Sequence, residues 1–597
     1  MNNLKRRSYA WCLTISVICG MALSIVPGPE RSFATQPEPA TAPQEALRLG
    51  ERIYREGILP SGEPLQASLK GGAVPGTTFA CASCHLRSGL GAFEGNVYTP
   101  PANGANLFKP FQVYQPETNE NNPFPFNTGQ FVQQHLKKYQ TLRPRPAYTD
   151  ASLADTLRKG VDSNGRTMDD AMPRYLLDDK EMKLLITYLK SLSAEFSPGV
   201  SDTTIRFATI ITDATTPEEQ RAMLVPLENY IRNTNQKNLS DPQAWDRATR
   251  DRSTSYRSRL MAETMLTPKQ TGIRKLSLSR WVLKGAPDTW RRQLDDYYRK
   301  EPVFAILGGM THGEWQPIHQ FCEENHLPNI FPITDFPVIS QSDWYTLYFS
   351  KGYYQEGEGA ASFLNARDEL KDKPILHIVR DTAEGRALAK GFLETWRDFG
   401  HKAPVTISLK AGESLTAERL QQELAREKPA ALVLWDGVDA LKTLEMTAAV
   451  KDRPAMVLVS SSFLGTSMFS LGKQVQEFTY ITYPYGISPT LQEKSSATMG
   501  VKNFNVQANA AAAVRASQQS YILTLILEQA FIDMRGNYYR DYLLDVIGTI
   551  MDPNVPLYDH LNFGAGQRYA SKGCYIVQLA KDGLVKKSGW LNNWATP

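Results

Sequence analysis

The stretch Phe79-Ala80-Cys81-Ala82-Ser83-Cys84-His85 places two thiols three positions apart and an imidazole directly after the second. Three chemistries use such a pair. A thioredoxin-like dithiol opens a helix after a core strand, and no strand pattern precedes Phe79. Half of a zinc site needs a second Cys or His pair, and no second Cys-x-x-Cys occurs in the chain. Covalent haem attachment needs each thiol to add to one of two vinyl groups while the adjacent imidazole lies under the iron. The order of residues here supplies all three groups, so Cys81, Cys84 and His85 are read as holding one haem c, with His85 an axial ligand to its iron.

Working outward, Leu47 to Tyr54 reads as a helix with Gly50 and Tyr54 on neighbouring positions of one face. Asp178–Leu192 reads as a second amphipathic helix with Met182, Leu185, Tyr188 and Leu189 in one stripe. A glycine on the first helix lets the second cross it closely. With an early Cys-x-x-Cys-His and two such helices, residues 43–192 resemble class I cytochrome c, which implies an all-α domain with a late methionine ligand. In the run Gly160 to Tyr175, Met172 followed by Pro173 matches that position, so the resemblance makes Met172 the sixth ligand, with Met168 as the runner-up. Thioether ligation opposite histidine raises the reduction potential and suits electron transfer. His135 reads as a surface or pocket-wall residue. The chain departs from the family in a long Asn- and Pro-rich insert between His85 and Met172, including Tyr98–Gly104 and Asn121–Phe126. A single Cys-x-x-Cys-His disfavours a multi-haem wire and a di-haem peroxidase.

Residues 1–34 have the parts of a secretory signal: basic Lys5-Arg6-Arg7, an apolar run from Tyr9 to Val26, and Ser32-Phe33-Ala34 as a cleavage site. Cleavage removes Cys12 and Cys19, leaves no membrane span, and leaves Cys81, Cys84, Cys322 and Cys574, too few for a disulfide framework in 597 residues. Whether Cys322 and Cys574 pair stays open. The leader also carries +3 of the formal net charge of +4, so the remainder gives no sign of a nucleic-acid partner. The expected location is the periplasm.

Residues 193–203, rich in Ser, Pro and Gly, read as a linker. From residue 204 to 597 short β-branched runs alternate with longer amphipathic stretches, the pattern of a parallel-sheet α/β domain. Strands are expected at Ile205–Thr212, Leu276–Lys284, Val303–Gly308, Ile330–Ile333, Ile375–Val379, Val405–Leu409, Ala431–Trp435 and Met456–Val459. Helices are expected between many of them, and near Arg515–Met534 and Asn537–Met551 before a C-terminal strand pair. This order is similar to the type 1 periplasmic binding proteins, which implies two α/β lobes closing on a small ligand at the carboxyl ends of the strands. Carried over, the resemblance puts Thr311, His312, Thr334, Glu384, Asp436 and Ser461 at the cleft. An amino-acid receptor usually shows Tyr-Gly where this chain has Glu384-Gly385. His312, His319 and His326 read as surface or packing residues and not as a metal site.

The sequence therefore predicts a multidomain chain: an all-α cytochrome c domain followed by a two-lobed α/β domain with parallel sheets. The expected role is electron transfer in the periplasm with a dehydrogenase or another cytochrome. The alternative is a small-molecule binding protein of a transporter or sensor system whose haem senses redox state. No nucleophile–base pair or paired-carboxylate motif points to an enzyme.

Overall fold

The computed structural model describes residues 42–94, 97–111, 144–240, 274–340, 342–370, 373–486, 510–534, 536–550, 555, 557–563, 567–580 and 583–592. The leader 1–34, His135 and Asn121–Phe126 lie outside the described residues. The described residues from Ala46 onward form one compact unit.

The N-terminal domain is built on two crossing helices, α1 (Ala42–Glu56) and α2 (Asp179–Ser191). Asp178 caps α2 by accepting from the Glu181 amide, and Glu181 reciprocates on the Asp178 amide. The stripe Met182, Leu185, Tyr188 and Leu189 is buried, as are Ile53 and Tyr54 on α1. Each such side chain contributes roughly 1.5–3 kcal/mol through removal from water. A Cβ on Gly50 would lie 2.3 Å from the Leu184 carbonyl oxygen and 2.7 Å from the Tyr188 Cβ, so only glycine allows this crossing. The Tyr54 and Tyr188 rings meet beside it, 5.5 Å apart.

The expectation of an all-α domain needs correction. Strands β1 (Gln66–Leu69) and β2 (Gly72–Pro75) form an antiparallel hairpin, and β5 (Arg174–Leu176) pairs with the other edge of β1. A second hairpin joins β3 (Ala92–Glu94) and β4 (Val97–Thr99). The first hairpin turns on Lys70 (φ 49°) and Gly71 (φ 82°), both left-handed as a two-residue primed turn requires. A Lys-Gly turn between runs of four residues is a weak sequence signal, and the partner β5 lies a hundred residues further on.

From Thr204 the chain forms two α/β lobes with parallel sheets. The first holds β6 (Thr204–Thr212), β7 (Lys275–Leu283), β8 (Ala305–Leu307), β9 (Asn329–Ile330) and β10 (Thr346–Leu347) in the order β10-β9-β8-β6-β7, every pairing parallel. The second holds β11 (Ile375–Arg380), β12 (Val405–Leu409), β13 (Ala431–Trp435), β14 (Met456–Ser460) and β15 (Thr479–Tyr483) in the parallel order β12-β11-β13-β14-β15. It is then extended by antiparallel β16 (Gly573–Ala580) and β17 (Gly583–Lys586). All five residues of β13 are buried, as expected for a central strand covered on both faces. Cys322 and Cys574 are free thiols buried in the cores of different lobes.

Residues 193–203 are packed rather than slack. Phe196 lies against the Tyr538 and Tyr539 rings at 6.2 and 6.0 Å. Arg540 donates to the carbonyls of Pro198, Val303, Phe304, Asn325 and His326, which all precede strands of the first lobe. The linker thus lies at the amino ends of that sheet. No helix of the described residues is long and apolar enough to cross a membrane.

Candidate functional site

Cys81–His85 form one short helical turn, which starts after extended Ala80 and ends at Leu86 with φ 64°. Two tyrosines pin its ends: Tyr175 donates to the Phe79 carbonyl at 2.9 Å, and Tyr54 to the Leu86 carbonyl at 2.8 Å. Cys81 is buried, which pushes its thiol up to about 11, and Cys84 is exposed.

His85 Nδ1 lies 2.8 Å from the Pro100 carbonyl oxygen. A carbonyl only accepts, so Nδ1 carries the proton and Nε2 keeps its lone pair. Burial holds the imidazole below its usual pKa and so neutral, the form that ligates a metal. Met172 packs, half-buried, on the same core as Cys81 and Tyr175. Arg174 holds its loop by donating to the Met172 and Met168 carbonyls. A neutral, oriented imidazole, two thiols on one turn and a thioether bordering the same core suit a covalently attached haem, which would supply one-electron chemistry at its iron. In the sequence Pro100 reads as part of an insert; the Pro100-Pro101 pair shortly after the Cys-x-x-Cys-His is its one trace.

The residues expected at the cleft separate into three groups. Thr334 lines a cavity of about 20 Å³, bounded also by Asp335 and Ser350 of the first lobe and Ser462 and Tyr485 of the second. These residues follow β9, β10, β14 and β15, so the cavity lies at the carboxyl ends of the strands. Arg515 bridges two of its walls, donating to Asp335 at 2.9 Å and to the Tyr485 hydroxyl at 3.0 Å.

Asp436 and Ser461, by contrast, are committed inside the second lobe. Asp436 is buried and paired with Arg380 at 2.6 Å. The Ser461 amide donates to Glu356 at 3.0 Å, as do the Ser462 amide at 3.3 Å and the Thr482 hydroxyl at 2.6 Å. Buried partners from distant sequence thus take up their polar atoms.

The remaining three lie on the lobe-one loop and a lobe-two helix. Thr311 is buried and accepts from the Gly313 amide at 3.3 Å. His312 pairs with Glu219 at 2.9 Å on the lobe surface. Glu384 stands in the first turn of the helix Ala383–Asp398. Of the other histidines, His319 is a core residue between Asp343 (2.8 Å) and the Tyr348 hydroxyl (2.9 Å), and His326 stacks on Tyr345 at 4.9 Å. Among the described residues no cluster of three or more His, Cys, Asp or Glu is placed to hold a metal ion.

No family model matches this chain, and no curated protein matches it. Solved structures do. A leucine-binding protein from Thermotoga maritima is 13% identical with a TM-score of 0.42, the match covering 65% of this chain and 99% of that one. An ABC transporter substrate-binding protein from Sphaerobacter thermophilus is 14% identical with a TM-score of 0.45, over 65% and 98%. A branched-chain amino acid ABC transporter protein from Thermus thermophilus with bound valine is 11% identical with a TM-score of 0.42, over 66% and 98%.

Proposed function

We propose that this chain is an exported, two-lobed small-molecule binding protein that carries one covalent haem on its N-terminal domain and exchanges electrons with a periplasmic partner, a dehydrogenase or another cytochrome. The hydrogen bond from His85 Nδ1 to the Pro100 carbonyl carries the haem half of this reading. It fixes the tautomer and leaves Nε2 for iron, next to thiols spaced for vinyl addition. The two parallel sheets, with a cavity at their carboxyl ends, carry the binding half. Export follows from the leader read at residues 1–34.

A second reading, a binding protein of a transporter or sensor system whose haem reports redox state, draws on the two-lobed fold. The cavity of about 20 Å³ holds little more than a water, so a ligand enters by parting the Arg515 bridge.

A thermal-shift screen of the full chain against amino acids, organic acids, alcohols and aromatics, followed by mixing with reduced dehydrogenases, tests both readings. A ligand at one hundred times its Kd adds about 2.7 kcal/mol. Rapid haem reduction by a dehydrogenase supports electron transfer; a ligand hit with a haem that no dehydrogenase reduces supports the sensor reading. A chain that gives no ligand hit and whose haem no dehydrogenase reduces overturns the proposal.

A further inference from the structure

Trp344 stands immediately ahead of β10 at the seam between the N-terminal domain and the first lobe, and two guanidinium groups stack on its ring. Arg87 Cζ lies 4.2 Å and Arg568 Cζ 3.7 Å from the ring centroid. Arg87 comes from the N-terminal domain, two residues beyond His85. Arg568 comes from the C-terminal segment beside β10, where its carbonyl accepts from the Tyr348 amide at 2.8 Å.

Arg568 is 6% exposed. Its Nε and Nη1, the Arg87 Nε and the Trp344 indole Nε1 are all buried, and none meets an acceptor among the described residues. The acids at the seam, Glu323, Asp541 and Asp545, act on these guanidinium groups through space but make their hydrogen bonds elsewhere. Glu323 accepts from the amides of Trp344, Tyr345 and Thr346 at 2.8, 2.7 and 3.0 Å. Asp541 accepts from Arg55 and from the Tyr345 hydroxyl, and Asp545 from the Ser88 amide. Buried donors left without an acceptor are costly as they stand. An anion that accepts from these donors removes that cost, because the guanidinium fork matches a carboxylate or a phosphate.

We infer that Arg87, Arg568 and the Trp344 indole form an anion site at this seam, taking a carboxylate or phosphate group. Two sources carry that chemistry: a propionate of the haem attached at Cys81 and Cys84, or a free anion that ties the two domains together.

Isothermal titration of inorganic phosphate into the full chain tests the site, in the haem-loaded protein and in the haem-free Cys81→Ser/Cys84→Ser variant. A free-anion site binds phosphate in both forms; a propionate site binds it only in the haem-free form. In each case Arg568→Gln weakens phosphate binding tenfold or more. Should the haem-free variant not fold, the loaded protein decides: Arg568→Gln either abolishes phosphate binding or shifts the haem midpoint potential. Absence of phosphate binding together with an unshifted potential in Arg568→Gln overturns the site. If the wild-type chain carries no haem, it is itself the haem-free form, and phosphate binding alone decides, so failure of the haem reading and failure of the anion site are separately visible.

Discussion

Arg55 and Asp541 meet at 2.6 Å across the seam between the N-terminal domain and the first lobe, with side chains only 8% and 16% exposed. The Arg55 Nε also donates to the Tyr188 hydroxyl at 3.1 Å, and Tyr345 donates to the other oxygen of Asp541 at 2.9 Å. The pair therefore couples the helix crossing at Gly50 to the helix Arg540–Thr549.

Removing one partner leaves the other charge buried and unpaired. Asp541→Asn is expected to cost about 3 kcal/mol in urea unfolding. Burial pushes the Asp541 carboxyl up, but Arg55 and Arg87 outweigh it and hold the group below its ordinary 3.8. Its folded value is thus depressed, so its stabilisation is present above 3.8 and fades as pH falls through the lower folded value. A variant as stable as wild type at neutral pH would remove the pair from the seam's energetics.

Asp545, one turn further along the same helix, has the opposite sign. Burial raises it from 3.8 to about 6, against the opposing hydrogen bond from Ser88. The unfolded chain releases its proton first, so stability declines as pH rises from 3.8 to about 6 and stays flat above that. Asp545→Asn keeps an acceptor for the Ser88 amide and removes the titration. The urea midpoint of the variant is expected to change less than wild type across that window; identical slopes would assign the titration to another group.

Gly50→Ala places a methyl 2.3 Å from the Leu184 carbonyl oxygen, so the two helices must part. A loss of about 1–3 kcal/mol is expected, read as a lowered Tm. An unchanged Tm would mean the crossing is looser than described.

For the sixth iron ligand, Met172→Ala is expected to abolish the weak sulfur-to-iron absorption band toward the red, and Met168→Ala to leave it. Arg174 holds both carbonyls, so the loop stays in place in either variant. Loss of the band in Met168→Ala alone would exchange the two assignments.

The elements of the α/β lobes were legible because strands write their own signatures. Val405–Leu409 and Ala431–Trp435 run over the expected residues, the first an alternating edge strand and the second a continuous apolar run buried on both faces. The Gly50 crossing was legible for a similar reason, since a glycine facing an apolar stripe has one mechanical use. The interior of the second lobe was not. Asp436 ends a strand, as a cleft residue would, but Arg380, 56 positions earlier, takes its carboxylate. Ser461 opens a helix, but Glu356, 105 positions earlier, takes its amide. Such pairings are set by which strands become neighbours, and no local pattern carries them. The seam was hidden likewise: a Ser/Pro/Gly-rich stretch reads as slack until Arg540 is seen gathering the carbonyls around it.

The proposed function turns on covalent haem at Cys81 and Cys84 with His85 as a ligand to its iron. Intact mass of the exported chain, taken with its absorption spectrum after acidified-acetone extraction, decides it. One haem per chain that extraction does not remove is expected, and its loss in Cys81→Ser/Cys84→Ser. A wild-type chain that emerges without haem, or gives it up to the solvent, would contradict it.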